Sequence, residues 1–447
     1  MSFRFGAVIS HPTQHHSPVF RELAKVPGLR VRVFYACDHG ARESYDPGFH
    51  TRFAWDVPLL DGYEYEILRP GFSPRRFGFW EVDSASLPER LEAFRPHALW
   101  VHGYGQRLCW RAVRWARGRC AVVFFGDSEL LHRRNLAVRA AKRPILGRFF
   151  RRCDAFITIG DNNEAYYRHY GVPPEKLFRG AYPVDVARFC RTLEDRPDGR
   201  VEVRRRYDLP PDDLVVVALG KLERRKRPQD LVEALSMLPR TVKATALFVG
   251  DGPMRADVLE RARQKGVADR VKITGFVNQR DVPLVLQAGD LLAVISERDP
   301  HPLAVSEALI VGLPVVVSDR VGCVGPTDTA RPGVNAIIYR CGEAVELAQA
   351  IARVAGDEAL RRTMAGASRA IAWTQDASVT VGTVLDIIAA LRPPFGGRWG
   401  DVQEVTFGQI AQHRRRLAVD IAAWTAAPEL SAAPTVVAGA PSPRHGR

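Results

Sequence analysis

ISERDPHPLAVSEALIVGLPVVVSDRVG, residues Ile295–Gly322, reads as strand, loop, helix and strand in immediate succession. An apolar run, LLAVIS, ends at Ser296, and a polar loop holding Asp299 and His301 follows. A helix then starts near Pro302, carries Glu307 in its early turns and stops at Gly312-Leu313-Pro314, where the next apolar run begins. The strand runs are continuously apolar rather than alternating, as in strands covered on both faces, and a helix between two of them makes a parallel crossover.

Outward from this unit the same pattern recurs. In the second half the runs are LVVVALG, ATALFVG, VKITGF, LLAVIS, LPVVVSD and NAIIYR; in the first half they are FRFGAVIS, VRVFYAC, ALWVHG, CAVVFFG and AFITIG. Two series of strand–helix units imply an α/β protein of two doubly wound, Rossmann-like parallel-sheet domains facing across a cleft. The charged stretch RTLEDRPDGRVEVRRRYDLPPDD (191–213) separates them. The expected bounds are 1–190 for the first domain and 191–372 for the second. A helical segment at 373–394 is expected to cross back to the first domain, and a partly disordered extension to fill 395–447. Ligands of such sheets sit at the carboxyl ends of the strands, beside free helix amino termini, so the chemistry belongs in the cleft.

Composition narrows the function classes. The 447 residues are 46% hydrophobic and 26% charged, an ordinary globular balance. The formal charge of +14 favours anionic partners: phosphorylated small molecules, an acidic membrane surface or nucleic acid. No nucleic-acid-binding motif accompanies it, so no nucleic-acid partner is expected. The seven cysteines include no CxxC pair and read as reduced thiols. MSFRFGAVIS lacks the layout of a signal peptide, and no apolar run approaches the roughly 18 residues of a membrane span, so a cytoplasmic protein is expected. Between Arg133 and Arg152 there are eight basic residues and no acids. On a helix, Ile145, Leu146, Phe149 and Phe150 share one face while Arg148, Arg151 and Arg152 share another. That suits either peripheral binding to an anionic inner membrane face or a domain helix with a basic outer side.

The segment Asp299–Glu307 with the following GLPVVVSD resembles the E-x7-E signature of family 4 glycosyltransferases, retaining enzymes of the GT-B fold. Asp299 stands at the first acidic position, one methylene shorter than the family's glutamate, and Glu307 at the second; Glu297 lies at the wrong spacing. The resemblance implies that Glu307 binds the nucleotide ribose and that Asp299 lies by the donor sugar. The amides of Leu303 and Ala304 would then bind the diphosphate. Gly220–Lys226 (GKLERRK) resembles the family's G-R-L-x-x-x-K-G, which makes Lys221 and Lys226 the diphosphate cations, Lys226 also acting catalytically. Gly250 matches a strand-end turn of the family, Gly275 and Phe276 the nucleobase position, and His102 the histidine at the donor sugar. On the acceptor side the candidates are His15 and His16, in a loop replacing a glycine-rich one, and Asp127 and Ser128 after CAVVFFG, which could instead cap a helix.

No Asp-x-Asp pair occurs and the adjacent histidines lack a third ligand, so neither metal nor cofactor is expected. The function these residues imply is transfer of a sugar from a nucleotide-diphosphate sugar to a glycan, lipid-linked or small-molecule acceptor. A sugar-nucleotide epimerase of the same fold and a degenerate scaffold are the alternatives.

Overall fold

The computed structural model describes residues 1–46, 48–74, 76–132, 135–395 and 397–426. The first sheet comprises β1 (Phe3–Ile9), β2 (Leu29–Tyr35), β5 (Glu64–Ile67), β6 (Ala98–His102), β7 (Ala121–Phe125), β8 (Ala155–Thr158) and β9 (Leu177–Arg179). The second comprises β10 (Leu214–Leu219), β11 (Ala244–Val249), β12 (Val271–Ile273), β13 (Leu291–Val294), β14 (Val315–Ser318) and β15 (Ala336–Tyr339). Their orders are β5-β2-β1-β6-β7-β8-β9 and β12-β11-β10-β13-β14-β15, parallel throughout. In each, the order reverses beside the first strand, at β1/β6 and β10/β13, and strand ends diverge there to leave a crevice.

Continuous burial accounts for the central strands. β7 (AVVFF) and β14 (VVVS) are buried at every residue, with one apolar cluster against each face of their sheet. The edge strands β5 (EYEI) and β9 (LFR) are only partly covered and carry no long apolar run, so the run pattern does not predict them. Nor does it predict a short antiparallel hairpin, β3 (Ser44–Asp46) with β4 (Thr51–Phe53), which leaves the first domain and leans on the second.

The chain passes to the second domain at Val184–Val186, slightly before the expected 190, because Val186 and Phe189 are buried in the second domain's core. It returns beside that point: Val184 N–H donates to Gln375 O at 3.0 Å and Ala377 N–H to Val184 O at 3.0 Å. The helix Ala377–Phe395 then buries Val381, Val384, Leu385 and Ile388 in the first domain's core. Contrary to the sequence expectation, this helix is long and apolar enough to cross a membrane, with mean hydropathy 1.2. Its apolar side chains are instead used in packing.

The extension is ordered over much of its length. Trp399 is buried and its indole N–H donates to His97 O at 3.1 Å, Asp401 accepts from His97 and Arg4, and Glu404–Ala426 forms a helix. Residues 427–447 lie outside the described residues.

The basic stretch is also partly outside them, at Arg133 and Arg134. The rest forms the helix Leu136–Phe150, in which Leu146, Phe149 and Phe150 are buried in the first domain and only Ile145 of the expected apolar face is exposed. The domain-helix alternative is therefore the one observed: a soluble core needs those side chains as much as a membrane would.

Candidate active site

A cleft of about 1030 Å³ lies between the carboxyl ends of the two sheets. Asp127 and Tyr182 line it from the first domain; Gly220, Lys226, Gly250, Asp299, His301, Leu303, Ala304 and Glu307 line it from the second. Gly250 has φ +143°, and a Cβ there would lie 2.1 Å from Gly220 O, so only glycine lets the ends of β10 and β11 meet at the floor.

The helix Leu303–Ile310 starts at the cleft wall; Val305 N–H donates to Pro302 O at 3.1 Å, while the N–H groups of Leu303 and Ala304 lack intrahelical acceptors. With the helix dipole behind them they favour an anion. Glu307 is buried one turn on, its Oε1 3.5 Å from Gln279 Nε2, and burial pushes its carboxyl above the usual range while the nearby Arg188 charge works against that rise. Gln279 is itself held by Arg188, which donates to its backbone oxygen at 2.8 Å and its side-chain oxygen at 3.1 Å.

Lys226 and Asp299 form an ion pair at the cleft edge. Lys221 pairs with Asp46 of the hairpin instead, 2.9 Å to each carboxylate oxygen, and faces an adjoining narrow crevice that shares Lys226 and Ala304. Phe276 does not line the cleft. Its ring packs 4.5 Å from Phe53 and 5.0 Å from Phe49, and Val277 and Gln279 take the wall position expected for Gly275 and Phe276.

The histidines lie under the cleft rather than along it. The His102 ring stacks on Phe125 (5.2 Å) and meets His16 edge-on (4.5 Å); His15 stands 5.0 Å from Tyr182, whose ring forms the wall above. Burial holds the His102 imidazole down at about 4 and those of His15 and His16 well below 6.5. All three are neutral at pH 7. His102 Nδ1, His15 Nδ1 and His16 Nε2 have no hydrogen-bond partner among the described residues.

Asp127 also borders a pocket of about 770 Å³ lined by Ser128, Glu129, Lys142 and Arg298. Burial raises its carboxyl pKa, opposed first by a hydrogen bond from its own backbone N–H. Ser128 Oγ is engaged by Tyr104 OH at 2.9 Å. Neither residue caps a helix; the next helix is capped by Asn135, which accepts from Val138 N–H at 3.1 Å.

Sequence reasoning assigned no role to His301, Asp328 or Asp46. His301 Nε2 is 3.1 Å from Asp328 Oδ1, both buried, and Asp328 Oδ2 accepts from Asp161 N–H of the first domain at 2.8 Å. No spacing rule links positions so far apart. Among the described residues, no group of three His, Cys, Asp or Glu side chains could hold a metal ion.

Comparison with known proteins agrees with this architecture. Residues 19–188 match the profile "Glycosyltransferase Family 4" and residues 200–370 match "Glycosyl transferases group 1". The chain belongs to the glycosyltransferases these two profiles describe, of the GT-B fold. It is 31% identical over 215 residues to a D-inositol 3-phosphate glycosyltransferase of Salinispora tropica, covering 46% of this chain and 44% of that one. It is 28% identical over 195 residues to an alpha-D-kanosaminyltransferase of Streptomyces kanamyceticus, covering 43% and 49%. The alignments thus span about half the length of these curated relatives. The Anabaena HepE protein solved with UDP superposes with TM-score 0.65 at 18% identity, over 88% of this chain and 100% of that one.

Proposed function

We propose that this chain transfers a sugar from a nucleotide-diphosphate sugar, held against the second domain, to an acceptor in the pocket at Asp127 and Ser128. The observation that carries this reading is one cleft in which Lys226, the Leu303 and Ala304 amides and Glu307 face Asp127 across the domain boundary. The diphosphate lies at the helix start with Lys226, and Glu307 accepts from the ribose hydroxyls. As the glycosidic bond breaks, negative charge grows on the diphosphate, and fixed N–H dipoles and an ammonium stabilise it without a metal. Asp299, joined to Lys226, orients that ammonium beside the donor sugar. Retention of configuration is inferred from the family resemblance. An epimerase has no use for a second substrate pocket, and the polar pocket beyond Asp127, lined by Ser128, Glu129, Lys142 and Arg298, favours transfer.

The test is a thermal-shift panel of UDP-, GDP- and ADP-sugars, in which one base series raises the melting temperature through binding to the folded state. Glu307→Ala should weaken that ligand by about 2 kcal/mol, roughly thirtyfold in affinity, since a charge-assisted ribose contact is lost. Equal affinity in a folded Glu307→Ala protein would remove the ribose assignment.

For location, peripheral association with the inner membrane face is a second proposal, supported by the exposed side chains of Arg143, Arg148 and Arg151. With the apolar face buried, attraction is electrostatic alone, about 1 kcal/mol per basic residue near an anionic surface. Co-sedimentation with anionic vesicles at low salt should disappear at high salt and in a protein with Arg143, Arg148 and Arg151 changed to Ser. If wild type ignores anionic vesicles at low salt, a soluble acceptor is favoured.

A further inference from the structure

The strands β3 and β4 are part of the first domain by sequence, yet Asp46, Gly48, Phe49 and Phe53 rest on the second. Asp46, the last residue of β3, grips Lys221 with both carboxylate oxygens at 2.9 Å. Gly48 lies on the lysine stem: a Cβ there would come 2.6 Å from Lys221 Cδ. The ammonium also sits 4.8 Å from the Phe49 ring centroid. Phe49 and Phe53 pack on Phe276, and Asn278 donates to Ala54 O at 2.8 Å, so the ribbon is fastened at both ends of this contact. Burial acts to raise the Asp46 pKa, but Lys221 and the Gly48 and Phe49 N–H groups hold it below the usual carboxylate range.

Lys221 therefore has two claimants. The resemblance of Gly220–Lys226 assigns it, together with Lys226, to the diphosphate of the donor site proposed above, on which this inference rests; in the structure a carboxylate from the opposite domain holds it. A half-buried ammonium is costly to leave unpaired, and an exchange of one anion for another keeps it paired throughout.

We propose that Asp46 is an internal competitor for the diphosphate. It yields Lys221 when the nucleotide sugar binds and reclaims it as the nucleoside diphosphate departs. The competition lowers the affinity of the product, and product release limits turnover in many enzymes. Asp46 is thus a release residue of the donor site, contributed by the acceptor-side domain, and it makes nucleotide exchange depend on the hairpin.

Asp46→Asn separates charge from shape. Its amide oxygen can still accept from Gly48 N–H and Phe49 N–H, now bonded at 2.7 and 3.1 Å, so the turn is retained while the competing charge is removed. Titration calorimetry with UDP, GDP and ADP, and with the matching monophosphates, gives the test. The diphosphate that wild type binds should bind the variant about fivefold more tightly, as expected for removal of one partly exposed ion pair, and should inhibit turnover at lower concentration. The monophosphate should change less. In a Lys221→Met background the Asp46 substitution should leave diphosphate affinity unchanged, because the contested group is gone. Asp46→Ser serves as the second variant should the asparagine protein not fold. Diphosphate binding that is unchanged or weaker in a folded Asp46 variant overturns the proposal while leaving the donor site in place. If wild type and variant bind none of the three diphosphates, the donor-site reading itself fails, and this proposal with it.

Discussion

Lys226→Met should lower turnover by about 10²–10³-fold with the fold retained. The expected loss is that of one preorganised charge-stabilising group at a site of developing negative charge. Turnover is measured as nucleoside diphosphate release. The structure adds a condition: Lys226 is paired with the buried Asp299, so its removal alone also strands a carboxylate. Lys226→Met with Asp299→Asn should therefore recover stability relative to the single change without recovering turnover. That split separates a catalytic ammonium from a structural one. In the mechanism proposed above Lys226 and helix N–H groups neutralise the leaving diphosphate, so wild-type activity should also persist in EDTA. Loss of activity on chelation, restored by magnesium, would show that these groups do not suffice.

The second large effect is acid lability of the first domain. His11, His15, His16 and His102 are all held below 6.5, chiefly by burial; His11 is at about 3 and His102 at about 4. In the unfolded chain each would protonate near 6.5. Below that pH the unfolded state binds more protons than the folded one, so stability rises with pH and falls as pH drops from 6.5 toward 4. Each such histidine contributes up to about 1.4 kcal/mol per pH unit in this window. Asp127, Asp154, Asp376 and Glu307, whose carboxyls burial raises, act with the opposite sign at the lower end of the window, while His39 and His97, also lowered by burial, add to the histidine side. Urea unfolding at pH 7.5, 6.0 and 5.0 should show a steep monotonic loss, and His16→Asn should flatten it. A flat profile would mean that these imidazoles are accessible to protons in the folded state.

Loops and cross-domain contacts are where reading the sequence runs out. The resemblance puts backbone groups of Gly275 and Phe276 at the nucleobase and says nothing of the Phe276 ring, which packs on Phe49 and Phe53, residues more than two hundred positions earlier. The resemblance makes Lys221 a diphosphate cation; that Asp46, in a segment with no apolar pattern of its own, also pairs with it is visible only in the structure. The basic helix Leu136–Phe150 had two readings that its own periodicity could not separate, because core and lipid both accept Leu146, Phe149 and Phe150.

What the sequence by itself determined is local and periodic: continuous Val-, Ile- and Phe-rich runs separated by helices, and Leu303–Ile310 following β13 with Glu307 at its wall. Burying such runs on both faces leaves few alternatives to two parallel sheets, and a helix start after a strand end places its amides at the crevice whatever lies opposite. Tertiary structure alone decided which groups meet across the cleft: Asp46 with Lys221, Asp328 with His301 and Asp161, and Tyr182 above the histidines. Those pairings depend on how two separately folded sheets face each other, and that geometry is set by long-range packing, including a helix, Ala377–Phe395, that returns to the first domain only after the second is complete.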